Sequence, residues 1–447
     1  MLNTQGTEQY LAAFQNYQRN GAGSGPAWLK ELRESAIASF QKLGFPTARN
    51  EDWKYTSVDP IVSTIFERSE RNPHNTKALA ADEICALSFT DPTYNRLVFV
   101  NGVCWPELSR LHGLPPGVRV ESLADALQGD DDVLRGHLSR YVRYREHAFV
   151  ALNTAFVEDG ALVFVPNGAV VEEPIYLIFV SHGQFHPAVS YPRNLIVLGE
   201  GSQARVVESH VGTGSGTYFA NAVTEIFGGE GASIEHYFLQ REGVAGLHVG
   251  TLEAQLSRHC TFSSHTITLS GSLVRNDLHV ALNGEGSECN LYGLYLVDGK
   301  QHVDNHTEIE HFMPRARSHE LYKGILSGNG RGVFNGKIFV HKDAQKSDAR
   351  QTNKNLLLSE DAVINTKPQL EIYADDVKCS HGSTVGQLDR DALFYLRSRG
   401  IGPGEAQSLL SYAFASDIVS RVKIPPVRAR LDDYLLAKFR NQYASLP

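Results

Sequence analysis

The residues best suited to chemistry in this chain are Cys379 and His381, within the run Ala374-Asp-Asp-Val-Lys-Cys-Ser-His-Gly382. On an extended strand, positions i and i+2 point the same way. A thiolate and an imidazole on one face suit a borderline metal such as iron or zinc. Taken alone, a Cys-x-His pair is more often a buried thiol beside a surface histidine. A second row runs Gln301-His-Val-Asp-Asn-His-Thr-Glu-Ile-Glu-His311. At strand period His302, Asp304, His306, Glu308 and Glu310 share one face, where neighbours reach a common ion. The simpler expectation is a solvated polar face whose reverse buries Val303 and Ile309. Residues 343–355 place small polar side chains at alternate positions. In stacked coils such Asn and Gln residues form ladders, so this strip reads as structural first.

The elements that must position these residues change character along the chain. Residues 8–17 and 28–43 read as helices, the second with Leu29, Leu32, Ile37 and Phe40 on one stripe and Gly44 as its stop. The polar-aromatic turn over 45–56 reads either as a binding loop or, more simply, as an aromatic plug that seats the helices on the next domain. Residues 60–160 mix short strands and helical pieces. From residue 161, for some 220 residues, no long helical pattern occurs. Short apolar runs such as Tyr176-Leu-Ile-Phe-Val180 and Leu278-His-Val-Ala-Leu282 alternate with a glycine signature, as in Leu198-Gly-Glu-Gly-Ser202 and Leu282-Asn-Gly-Glu-Gly-Ser287. Its last glycines fall at Gly201, Gly231, Gly286 and Gly330, with a degenerate copy at Leu358-Ser-Glu-Asp-Ala362. Those gaps read as one or two units of roughly 20 to 30 residues. Coils that cannot bury an apolar face alone bury it by stacking, and glycines turn the corners with positive φ. This predicts a β-solenoid; a jelly-roll sandwich is the competing reading.

Helices return after residue 386. Asp389 caps one that Gly400 ends, and Gly402-Pro-Gly-Glu405 opens another with Ala406, Leu409, Leu410, Ala413, Phe414 and Ile418 as its apolar stripe. A last helix spans 427–443. The bundle either caps the solenoid end or offers a groove to a partner. The predicted division is a helical and mixed domain over 1–160, a β core over 161–385 and a helical domain over 386–447.

Composition narrows the function. A net charge of −8 argues against binding dominated by nucleic-acid phosphates. No apolar run reaches the ~20 residues needed to span a bilayer, and no secretory leader is legible. Five scattered cysteines fit reduced thiols of a cytoplasmic protein better than a disulfide framework. Without a Cys-x-x-Cys pair, a self-contained zinc ribbon or ferredoxin-type site is not expected. No Gly-x-x-x-x-Gly-Lys-Ser/Thr loop occurs, so no ATP site of its own is expected, and no flavin site is legible.

The run from Asp304 to Val419 resembles the Suf-type iron–sulfur cluster assembly scaffold family of SufB and SufD proteins. The matching motifs are Asp304-Asn-His-Thr-Glu-Ile-Glu-His311, Tyr322-Lys-Gly-Ile325, Phe334-Asn-Gly-Lys-Ile338, Gln351-Thr-Asn-Lys-Asn-Leu-Leu-Leu-Ser359, Ala374 to Gly382, and Leu393-Phe-Tyr-Leu-Arg-Ser-Arg-Gly400. Gly44-Phe-Pro46 and Glu51-Asp-Trp-Lys-Tyr-Thr56 are similar to the family's N-terminal part. The Cys-Ser-His-Gly form resembles the SufD branch. The resemblance implies a mainly β protein, a right-handed parallel β-helix between N- and C-terminal helical domains. It implies a non-enzymatic scaffold subunit that pairs with SufB and docks the ATPase SufC, with a homodimer as the state when SufB is absent. A transient cluster would form at the SufB interface, with His381 the first candidate ligand and Cys379 its neighbour. SufC would dock around Gly402, Glu405, Leu409, Leu410 and Phe414. The sulfur-accepting cysteines would belong mainly to SufB, so Cys260 and Cys289 are not assigned that role. Two other classes remain open at this level: a polysaccharide-cleaving β-helix, and a homo-oligomer binding metal through the His302–His311 row.

Overall fold

The computed structural model describes residues 2–19, 25–68, 81–129, 131–183 and 186–443. Of the glycine-rich break expected at 21–26, residues 21–24 lie outside them. The core is a parallel β-solenoid of two facing sheets, and successive strands alternate between the sheets. One sheet ends at Val363–Ile372 and the other at Lys378–Gly386. The sandwich alternative is not realised, because from Gln203–Gly214 onward each strand pairs in parallel with the strand two places on.

Register explains the stability of the stack. Val163, Ile196, Ile226, Ala254, Val280, Ile309 and Ile338 occupy one row across seven strands of the first sheet, all fully buried. Burying a Val or Ile side chain contributes about 1.5–3 kcal/mol, so the row is a continuous apolar seam no single coil could supply. The corner positions also repeat. Positive φ falls at Gly201, Gly231, His259, Gly286, Arg315 and Lys346, marking one coil every 27 to 31 residues. Three of these six are not glycine, which is why the glycine signature looked irregular. Its fourth copy, near Gly330, and the degenerate copy near Ala362 turn the opposite corner, between Arg317–Leu326 and Arg331–Val340 and between Asp348–Leu357 and Val363–Ile372.

The helices cover flanks of the stack. Ala27–Leu43 ends at Gly44, φ 63°, whose N–H donates to the Phe40 carbonyl. Tyr10, Phe14, Phe40, Phe45, Phe149 and Phe156 form an aromatic cluster against Phe219, Leu247 and Leu273 of the first sheet. Trp53 lies against Phe149, with ring centroids 5.2 Å apart, and under the Arg275 guanidinium. The aromatic turn is thus the plug that seats the helices on the coil.

The C-terminal helices Arg390–Ser398, Pro403–Val419 and Pro425–Tyr443 begin at Asp389, whose carboxylate accepts from the Asp391 and Ala392 amides. They do not cap the solenoid. Ile418, Val419, Val422, Leu431, Leu435 and Phe439 pack on the outer face of the second sheet, against Leu239, Ile267, Leu294 and Ile325. The expected stripe on Pro403–Val419 is only partly the buried one. Ala406 and Ile418 are buried, with Gly404, Ser411, Ala415 and Val419, whereas Leu409 and Ala413 face outward. Close approach explains this: a Cβ on Gly404 would lie 2.6 Å from the Tyr443 carbonyl oxygen. Small residues take the contact face, which leaves the larger ones outside.

Candidate functional site

Leaving the end of the stack uncapped exposes its last rung. Lys378–Gly386 pairs on one side only, with Asp348–Leu357. The register sets Cys379 on Ala349, His381 on Gln351, Ser383 on Asn353 and Val385 on Asn355. Those four partners face the coil interior and are buried. Cys379 and His381 therefore share the inward face, as their spacing requires, at a mouth no described residue closes. Cys379 is half-buried beside Ile338, Val340 and Ala349, and burial raises its thiol above the usual range. His381 is exposed, and a Cβ on the adjoining Gly382 would meet nothing within 4 Å.

The floor beneath this mouth is polar. Gln351 Nε2 donates to Glu320 Oε2 at 2.8 Å. Burial pushes the Glu320 carboxyl up to about 7, and its hydrogen bonds offset only part of that. Asn355 Nδ2 donates to Asn353 Oδ1 at 2.6 Å, and Tyr295 donates to Asn355 Oδ1 at 2.5 Å. The polar strip is thus an inward ladder at Gln351, Asn353 and Asn355, while Asp343 and Gln345 lie on the corner before the strand. Both end strands are long, and Val363, Ile372, Tyr373 and Val385 around them are exposed. A free strand edge is a template for another chain, and Pro368 lacks the N–H to donate there. One thiol and one imidazole fall short of four cluster ligands.

The His302–His311 row behaves differently from the expected solvated face. Val303 and Ile309 are buried in the interior as expected. The polar side is covered by N-terminal segments. Thr56 Oγ1 donates to Asp304 Oδ2 and lies 2.8 Å from His302 Nε2, while Arg275 Nη1 donates to Asp304 at 2.9 Å. His279 sits between Glu253 and Glu310 at 2.5 and 2.8 Å. Burial alone would lower this imidazole; the two carboxylates outweigh it and raise it to about 9. These pairs form an ion network between the row and the N-terminal segments, and donor atoms of His279, Glu308 and Glu310 lie within 4.8 Å of one another.

The other cysteines are recessed. Cys260 and Cys289 are fully buried, and burial pushes Cys260 up to about 12. On the C-terminal helices Gly402, Glu405 and Leu409 are exposed, while Leu410 and Phe414 are half-buried. Lys323 donates to the Phe414 carbonyl at 3.0 Å and pairs with Asp417 at 2.9 Å, fixing this helix on the sheet. On the preceding helix Phe394 and Tyr395 are 75% and 56% exposed. Sequence reasoning also missed a buried group of Glu208, His210, His236, Glu242 and His248. Its one legible signal was the Glu-x-His spacing at 208–210, which sets both side chains on the interior face.

The SUF system FeS cluster assembly SufBD core domain model matches residues 179–414, and the SufBD N-terminal region model matches residues 4–177. The chain is 33% identical over 389 residues to the iron–sulfur cluster assembly protein SufD of Escherichia coli, covering 86% of each chain. It is 31% identical over 420 residues to an iron–sulfur cluster assembly SufBD family protein of Synechocystis, covering 92% of this chain and 91% of that one. It is 26% identical over 444 residues to the SufD protein of Bacillus subtilis, covering 95% and 96%.

Proposed function

Because the chain belongs to the SufBD family of iron–sulfur cluster assembly proteins, we propose that it acts as the SufD-type scaffold subunit of a SufB–SufC–SufD complex. One observation carries this reading: the solenoid ends in an open coil whose inward rim presents His381 and Cys379. A SufB subunit would add its own end strands to Val363–Ile372 and Lys378–Gly386, extending both sheets. It would bring the thiolates this rim lacks. A neutral His381 imidazole then donates its lone pair to iron beside them, and the cluster is cargo of the joint rather than a resident group of either chain. SufC docks on the C-terminal helices, where Gly402, Glu405 and Leu409 are exposed, as are Phe394 and Tyr395 of the preceding helix. Lys323 and Asp417 couple that helix to the strand Arg317–Leu326, one rung below Asp348–Leu357. Movement of the ATPase would thereby reach the open end. We further propose domain limits near residues 160 and 385 and a cytoplasmic location for the complex.

The test is co-expression with SufB and SufC. His381→Ala should keep both partners in the purified complex and abolish cluster formation followed by visible absorption. Full assembly in that variant refutes the ligand role. Loss of SufB from the wild-type preparation refutes the pairing.

A further inference from the structure

The early coils hold a group of ionisable side chains that the coil-end reading does not use. Glu208 and His210 lie on Gln203–Gly214, His236 on Ser233–Arg241, Glu242 in the connection after it, and His248 on Gly246–Leu256. All five are buried. His210 Nε2 and Glu208 Oε1 are 2.9 Å apart, and Thr224 donates to the other Glu208 oxygen at 2.8 Å. His248 Nδ1 is 2.7 Å from Glu242 Oε1, and Tyr218 donates to Glu242 Oε2 at 2.6 Å. The two imidazoles pack edge to face with centroids 4.7 Å apart. One donor atom from each of His210, Glu242 and His248 lies within 4.8 Å of the others.

Three features point to a ligand. Buried His248 Nε2 has no hydrogen-bond partner, and neither has Asn276 Oδ1. Gly250 keeps a space open beside both: a Cβ there would lie 2.8 Å from His248 Nε2 and 3.5 Å from Asn276 Oδ1. A cavity of about 20 Å³, lined by Glu208, Thr224, Gly250 and Asn276, adjoins them and has room for one water. Finally, the ion-pair partners of both buried carboxylates are histidines rather than Lys or Arg. Buried charge needs compensation, and a divalent ion would balance two carboxylates with the imidazoles neutral.

We propose that His210, Glu242 and His248 form a buried site for one divalent first-row transition metal, with His248 ligating through Nδ1 and a water in the Gly250 cavity as the partner of its Nε2. Two imidazoles and a carboxylate suit zinc or ferrous iron and disfavour calcium and magnesium, which want oxygen donors. Glu208 orients His210 from behind, as outer-shell carboxylates do for metal-bound histidines. The ion joins strands of both sheets and pins the first coils together. It is separate from the open end. Six rungs at ~4.8 Å, or roughly 29 Å, divide His210 from the last strand, and Tyr295 and Tyr322 fill the interior between.

The experiment is a cobalt(II) titration of the chelator-treated full chain under anaerobic conditions, read by visible d–d absorption. One equivalent should bind, be displaced by zinc, and bind equally in a Cys379→Ser/His381→Ala double variant. Binding should fall at least tenfold in His248→Ala and in Glu242→Gln. Absence of saturable one-equivalent binding in the wild type, loss of binding in the coil-end double variant, or undiminished binding in both cluster variants overturns the proposal. Anomalous scattering from cobalt-loaded wild-type crystals locates the ion even where a variant fails to fold: a peak among His210, Glu242 and His248 supports the site, and a peak elsewhere rejects it.

Discussion

Glu320→Gln should stabilise the chain in alkaline but much less in acidic solution. Glu320 lies in the interior row that ends at Gln351 and His381. Burial raises its carboxyl from 4.5 to about 7. The folded chain therefore holds this proton more tightly than the unfolded one. Its contribution is fully present below about pH 4.5 and is lost as pH rises through about 7. Above that the folded state carries a buried carboxylate. At 1.36 kcal/mol per pH unit, the displacement corresponds to about 3 kcal/mol, of which about 2 falls between pH 5.5 and 8.5. Glutamine has no charge to bury and keeps an acceptor for Gln351 Nε2. Urea unfolding of both proteins at the two pH values measures the effect. The variant should gain about 2 kcal/mol relative to wild type on going from pH 5.5 to 8.5. A stability difference independent of pH would refute a protonated Glu320 and the dry floor assigned to the site.

His279→Gln should act with a different window. The His279 contribution is fully present below about pH 6.5 and fades as pH rises to about 9, so the variant should melt well below wild type at pH 6 and approach it at pH 9.5. Arg193→Ala should cost about 3–5 kcal/mol in denaturant midpoints, because it leaves Glu225 charged and fully buried without its partner at 2.7 Å. Phe394→Ser with Tyr395→Ser should change thermal stability little, since both side chains are exposed, and should weaken capture of SufC at least tenfold in a binding assay. Unchanged SufC binding would move the docking surface elsewhere.

The open coil end changes how the weak Cys-x-His signal is weighed. A buried thiol beside a surface histidine is close to what Cys379 and His381 are when viewed one residue at a time. What sets them apart is the rim they share and the unpaired strand edges around it. In the His302–His311 row the reverse holds. There the spacing sets Asp304 and Glu310 in ion pairs with Arg275 and His279 of the neighbouring strand.

Local chemistry settled much of this protein in advance. Strand alternation, the glycine corners, the Asp389 cap and the Gly44 stop follow from backbone geometry and side-chain period, which neighbours in sequence decide. The shared face of Cys379 and His381 follows from the same period. What only the tertiary structure decided is which faces are covered. No sequence period says that Pro403–Val419 buries small residues and turns Leu409 outward, or that segments near Thr56 and Trp53 close over Asp304 and Arg275. Nor does it bring Glu208, His210, Glu242 and His248 together from two sheets and the connection between them. These contacts join residues tens to hundreds of positions apart, and burial is a property of the packed whole that a one-dimensional pattern of residue types does not carry.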